Sequence, residues 1–207
     1  MCEEYHNQII EYFPYGYVGT FVDVGMAHPI MCNNTFLLEI SGWEGVCVEP
    51  NQDYCKMSAG IRRVVYNCAC GKQNSDDEEF TIVNISFGEE GAVSSLKVDQ
   101  RLMKSHEHLI NHVKTVKVNV RTLDSILQES ELCSRECIDF VSIDTENTEL
   151  DVLKGFDLNR WKPKLLIIEK NFDEPYIQEY LSNFGYKKHK RYHVNDFYIR
   201  ISDNFNK

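Results

Sequence analysis

Long apolar runs are missing: nothing in the chain approaches the roughly 20 consecutive apolar residues of a transmembrane helix. A membrane-spanning role is therefore not expected. Positive charge is also short. The 22 Lys and Arg against 32 Asp and Glu leave a net charge of −10. Proteins that live on nucleic acid draw most of their affinity from neutralising phosphates and show a basic face, so nucleic acid is an unexpected partner. The one basic run is Lys187, Lys188, Lys190 and Arg191, beside His189 and His193. It fits a solvated hairpin, with a phosphate- or glycan-contacting patch as the alternative. The eight cysteines include no Cys-x-x-Cys pair and no Cys/His spacing of a zinc site. With no secretory leader, reduced thiols in a cytoplasmic protein are the expectation. The glycine fingerprint G-x-G-x-x-G is absent too, which argues against a pyrophosphate cradle and a nicotinamide dehydrogenase.

What is present is ordinary globular composition, 43% hydrophobic and 26% charged over 207 residues. One domain is expected over residues 1–207, with a helical lead-in at 1–18 and an α/β core at 19–202. Short apolar strands alternate with helices. TFVDV (Thr20 to Val24), GVCV (Gly45 to Val48), Val64 to Tyr66, IDFVSI (Ile138 to Ile143) and LLII (Leu165 to Ile168) read as strands. EFTIVN (Glu79 to Asn84) and Val116 to Val120 alternate with period two and read as further strands. Helices fit Met1 to Phe13, Thr35 to Ile40, Gln52 to Ala59, Thr122 to Gln128, Thr148 to Lys154 and Pro175 to Ser182. The polar stretch Lys72 to Glu79 reads as a surface loop. FYIRI (Phe197 to Ile201) closes the chain as one arm of an antiparallel hairpin turning near His193 to Asp196. The fold class is α/β: a Rossmann-like, mostly parallel seven-stranded sheet with a C-terminal antiparallel hairpin.

In an open α/β sheet, ligands bind beyond the carboxyl ends of the strands, where strand order reverses. The residues just past each strand are therefore the informative ones. After the first come Asp23, Val24 and Gly25, then Met26, Ala27, His28 and Pro29. Glycine there lets backbone approach a ligand closely, and Asp23 can accept from an ammonium or from the next turn. After the second comes Glu49, placed to bind a ribose diol with both oxygens. After the third, Asn67 to Gly71 (NCACG) suits an adenine edge lying against backbone. After IDFVSI come Asp144, Glu146 and Glu149, and after LLII comes Glu169. Carboxylates crowded in this way are costly unless a cation or ligand compensates. Asp144 and Glu146 are expected to line the pocket, while Glu149 is expected to start a helix and face solvent. A purely structural domain has no reason to gather such charge at one rim.

These segments resemble the FkbM family of S-adenosylmethionine-dependent methyltransferases. The resemblance is carried by FVDVG at Phe21 to Gly25, FLLEISGWEGVCVEPN at Phe36 to Asn51, NCACG at Asn67 to Gly71 and GAVSSL at Gly91 to Leu96. It continues through VRTLDSIL at Val120 to Leu127, IDFVSIDTENTELDVLKGF at Ile138 to Phe156 and KPKLLIIE at Lys162 to Glu169. It implies a class I methyltransferase sandwich and O-methylation of a sugar, glycan or other small molecule. By position, Asp23 and Gly25 would contact the methionine end of S-adenosylmethionine and Glu49 the ribose. Asn67 or Ala69 would flank the adenine, and Asp144 and Glu146 would lie by the transferring methyl group. The chain departs from the family pattern twice. The first loop runs Met26 to Pro29 instead of reaching a second glycine, and proline removes an amide donor there. The usual D-V-E-G is Asp144-Thr145-Glu146-Asn147, where asparagine tolerates the left-handed turn. Little sequence remains for a cap, so an open acceptor site is expected, with a homodimer as one way to complete it.

A hydroxyl acceptor benefits from a base, and Asp144, Glu146 or His28 is the candidate. No metal is required. Mg²⁺ on Asp144, Glu146 and Glu169 is the less favoured alternative. The rival functions are a non-catalytic binding module on the same fold and, less favoured, an RNA methyltransferase.

Overall fold

The structure is a computed structural model, and it describes residues 2–85 and 93–201. The first two residues of GAVSSL, Gly91 and Ala92, lie outside the described residues. In chain order the elements are α1 (Cys2–Ile10), β1 (Thr20–Val24), α2 (Phe36–Ile40), β2 (Glu44–Val48), α3 (Gln52–Met57), β3 (Val65–Tyr66), β4 (Ala69–Cys70) and β5 (Ser75–Ile85). They continue with α4 (Gln100–His106), β6 (Ile110–Arg121), α5 (Leu123–Glu129), a 3₁₀ turn (Glu131–Ser134), β7 (Phe140–Ile143), α6 (Glu149–Lys154) and α7 (Leu158–Trp161). Last come β8 (Leu165–Glu169), α8 (Tyr176–Ser182), β9 (Tyr186–Tyr192) and β10 (Asn195–Arg200).

The main sheet has seven strands in the order β3-β2-β1-β7-β8-β10-β9. β3, β2, β1, β7 and β8 are parallel, and β10 runs antiparallel between β8 and β9. This is the Rossmann-like sandwich with the expected C-terminal hairpin. The central strands β1, β7 and β8 are buried along their whole length. Their near-continuous apolar sequences follow, because helices cover both faces. Edge strand β9 instead alternates exposed and partly buried positions after its buried Tyr186. Its basic residues hold the edge: Lys188 pairs with buried Asp196 at 2.7 Å, and Lys190 reaches Glu11 of the segment after α1. The basic run is thus largely spent inside the hairpin and its packing.

Alternation along β1 assigns its side chains to opposite layers. Val22 and Val24 join the core under α5, α6, α7 and α8, with Ile126, Val152, Leu158 and Leu181. Phe21 joins the other core with Ile9, Leu38, Trp43 and Phe197. Asp23 follows Phe21's face. Helix α5 shows the expected spacing, with Leu123, Ile126 and Leu127 buried and the Thr122 hydroxyl accepting from Ser125 N at 3.2 Å.

Between β3 and β7 the chain leaves the main sheet. It builds a second sheet, β4-β6-β5, with α4 alongside. The polar stretch expected as a loop at Lys72 to Glu79 is strand from Ser75 onward. Its acids read as loop because this end of β5, at the rim of a three-stranded sheet, is largely exposed. The Ser95 hydroxyl ties this module to the main domain by donating to Glu146 O at 2.9 Å. No helix among the described residues is long and apolar enough to cross a membrane.

Candidate active site

The strand order reverses between β1 and β7, and a cavity of about 620 Å³ opens at their carboxyl ends. That volume lies within the roughly 300–1,000 Å³ common for small-molecule sites. Gly25 makes the junction. Its φ is +81°, and a Cβ there would stand 1.7 Å from the carbonyl oxygen of Asp144. Only glycine lets the two strand ends meet this closely.

The loop after β1 is stitched by side chains. Asn33 Oδ1 accepts from Thr35 N at 2.9 Å and Phe36 N at 2.7 Å. Asn33 Nδ2 donates to Met26 O at 3.0 Å and to Asp23 at 3.2 Å. The buried Arg62 guanidinium donates to Asn33 Oδ1, Thr35 Oγ1 and Glu39. Asp23 also accepts from the Thr35 hydroxyl at 2.6 Å. Its side chain is therefore part of the wall behind the loop and does not line the cavity, in keeping with its place on Phe21's face.

His28 lines the cavity, and its Nδ1 accepts from Ile30 N at 3.1 Å and Met31 N at 2.9 Å. The Nδ1 lone pair is thereby used, and the neutral ring carries its proton on Nε2. In this tautomer His28 offers the cavity a donor.

Glu49 lines the cavity beyond β2. Its Oε2 accepts from Ala27 N at 2.8 Å and its Oε1 from Asn51 N at 2.7 Å. Two loops thus fix the carboxylate, and each oxygen keeps a second lone pair for a diol hydroxyl. Ala69 and Cys68 line the neighbouring wall, with Phe80 of β5 and Leu96. Asn67 does not line it. Its amide donates to Glu49 O at 2.9 Å and Pro50 O at 3.1 Å, holding the turn from outside.

Beyond β7 and β8, carboxylate oxygens of Asp144, Glu146 and Glu169 lie within 4.8 Å of one another. Asn171 Nδ2 clamps the group, donating to Glu169 Oε2 at 2.9 Å and Glu146 Oε2 at 3.2 Å. Glu146 and Asn147 both sit in the left-handed region, at φ +55° and +78°. Asparagine tolerates this conformation, so Asn147 satisfies its part of the turn. Glu146 carries an additional strain of about 1 kcal/mol or more, which the surrounding contacts hold in place. Glu149 does begin α6 but does not face solvent. It is 3% exposed and turns back to accept from Thr145 N at 3.0 Å and Asn147 N at 3.1 Å. The left-handed turn aims these amides inward, and a buried amide needs a partner.

Burial pushes Asp144 up to about 6, eased by its hydrogen bond with Glu169. Burial, then Asp144, raises Glu146 and Glu169 well above the carboxylate range. Burial and mutual repulsion thus disfavour charge on all three carboxyls together. The cluster's oxygens are close enough to hold one divalent cation, and a cationic ligand would answer the same electrostatic need.

Burial also pushes Glu49 and Glu149 up to about 7. Unfolded, all of these groups titrate near about 4. As pH rises, the unfolded chain releases its protons first, so the stability held below that range is lost through about pH 6 to 7. The ligand-free protein is expected to melt about 5 °C or more lower at about pH 8 than at about pH 5.5. A melting temperature that rises over this interval would mean that the carboxylates are not buried in solution.

Several lining residues are not apparent from strand ends alone. Tyr5 comes from α1, and Val194 and Asn195 come from the hairpin. Phe80, Leu102 and His106 come from β5 and α4. The cavity thus receives a wall from the second sheet and its helix.

Residues 23–192 match the family model described as the Methyltransferase FkbM domain. Among curated proteins, none matches the chain.

Proposed function

Because this chain belongs to the FkbM family of methyltransferases, we propose that it transfers the methyl group of S-adenosylmethionine to a hydroxyl of a sugar, glycan or other small molecule. The observation that carries this reading is the junction of two features in one cavity. Glu49 sits, fixed by two amides, beyond β2, and the Asp144–Glu146–Glu169 cluster sits beyond β7 and β8.

The residues fit the cofactor. Glu49 would take the ribose hydroxyls on its free lone pairs, and Ala69 and Phe80 would flank the adenine. Gly25 would let the methionine end pass close to the backbone, with Asp23 bracing that loop from behind. When bound, S-adenosylmethionine supplies a methyl group already activated for in-line displacement. The chain's task is then alignment and proton removal. Asp144 takes the acceptor's hydroxyl proton as the oxygen forms its bond to carbon, and Glu169 holds Asp144 through their hydrogen bond. Glu146 lies beside it and shapes the acceptor end. No step on this account needs a metal. The net charge of −10 and a basic run spent in the hairpin favour a small-molecule acceptor over RNA.

The test is formation of S-adenosylhomocysteine with simple methyl glycosides as acceptors, for the wild-type protein and for Asp144→Asn. The reading expects acceptor-dependent turnover that the substitution removes.

A further inference from the structure

The acceptor end has a donor on one side, and among the described residues no lysine or arginine lines the cavity. Tyr5 reaches it from α1, and its ring is held edge-on to Tyr192 at 5.2 Å between centroids. The Tyr5 hydroxyl accepts from Asn195 Nδ2 at 2.9 Å. Its own hydrogen goes to no acceptor among the described residues, so it can be offered to a ligand oxygen. Four carboxylates, Glu49, Asp144, Glu146 and Glu169, line the cavity, and neither lysine nor arginine does among the described residues.

Resting on the methyl-transfer reading above, we propose that the acceptor is an uncharged polyol whose hydroxyl is positioned by Tyr5, and that acceptors bearing phosphate or carboxylate are rejected. An acceptor anion close to these carboxylates meets repulsion with no arginine or lysine to offset it. S-adenosylmethionine escapes this penalty because its sulfonium and ammonium outweigh its own carboxylate. Nucleotide-activated sugars and sugar phosphates are thereby excluded. Methylation must act on a sugar before phosphorylation, or after a glycosyl transfer has removed the nucleotide.

The experiment is saturation-transfer NMR on the full chain loaded with S-adenosylhomocysteine. The probes are neutral methyl glycosides and the 6-phosphates of the same sugars. The neutral glycosides are expected to bind, and the phosphates to bind about 100-fold more weakly or not at all. Tyr5→Phe keeps the ring packing and removes the donor. It should weaken the neutral glycosides about fivefold and leave S-adenosylhomocysteine affinity unchanged. Phosphates that bind as well as their neutral partners would overturn the proposal. So would the absence of glycoside binding to the loaded protein, or a Tyr5→Phe protein with unchanged glycoside affinity. If S-adenosylhomocysteine itself fails to bind, the methyl-transfer reading falls, and this inference falls with it.

Discussion

Replacing Gly25 with alanine is expected to destabilise the protein by about 4 kcal/mol or more and to abolish cofactor binding. Two independent penalties combine. Alanine at φ +81° carries roughly 1–2 kcal/mol of left-handed strain. The larger one is steric: the new Cβ would lie 1.7 Å from the Asp144 carbonyl oxygen, which is backbone and cannot swing aside. Relief requires parting β1 from β7, whose pairing runs through Val24 and Ile143 and on to Asp144 N donating to Val24 O at 2.9 Å. That junction forms the floor of the cavity. Gly60→Ala is the control. Gly60 also has positive φ, at +78°, but nothing lies within 4 Å of its would-be Cβ. It should cost only about 1 kcal/mol. Thermal unfolding separates the two, with melting temperatures expected to fall by about 10 °C and about 3 °C. Equal losses would show that the close approach at Gly25 is not what the fold depends on.

Asp144→Asn should lower kcat by about 100-fold to 10,000-fold while the protein stays folded. The amide is nearly isosteric and relieves repulsion with Glu146 and Glu169, so melting temperature should hold or rise. The lost group is the base. In wild-type protein the rate should climb as pH rises through about 6, because burial has pushed Asp144 to about 6 and only its ionised form takes a proton. In the variant that rise should vanish. Rapid-quench turnover across pH checks both points. An Asn variant that keeps wild-type turnover would remove Asp144 from the chemistry and pass the role to Glu146 or Glu169.

The strands of the main sheet were legible because central parallel strands are buried on both faces and therefore read as unbroken apolar runs. Glu49, Asp144, Glu146 and Glu169 were legible as cavity-lining residues because strand ends at a switch point open onto the cavity. Asp23 was misjudged by strand position alone, although period two already places it on the face of Phe21, away from Val24. Glu149 looked like an ordinary helix-start acid. Only the left-handed turn at Glu146 and Asn147, with its inward amides, draws it inside. Tyr5 and Asn195 meet across nearly the whole chain, and no local pattern marks such a contact. The second sheet escaped because β5 begins in exposed acids that have the composition of a loop. His28 reaches the cavity, and two backbone amides within three residues donate to its Nδ1, a contact that the residue type alone does not reveal.

On the proposed function, the cavity beyond Gly25, Glu49 and Asp144 binds S-adenosylmethionine. Calorimetric titration of the folded protein with S-adenosylmethionine and S-adenosylhomocysteine, repeated with Glu49→Ala, tests it most directly. Saturable binding of one ligand per chain is expected, weakened in Glu49→Ala by about 10-fold to 150-fold, the loss of hydrogen bonds to a charged group. Absence of binding by folded wild-type protein, or equal affinity in Glu49→Ala, would contradict it.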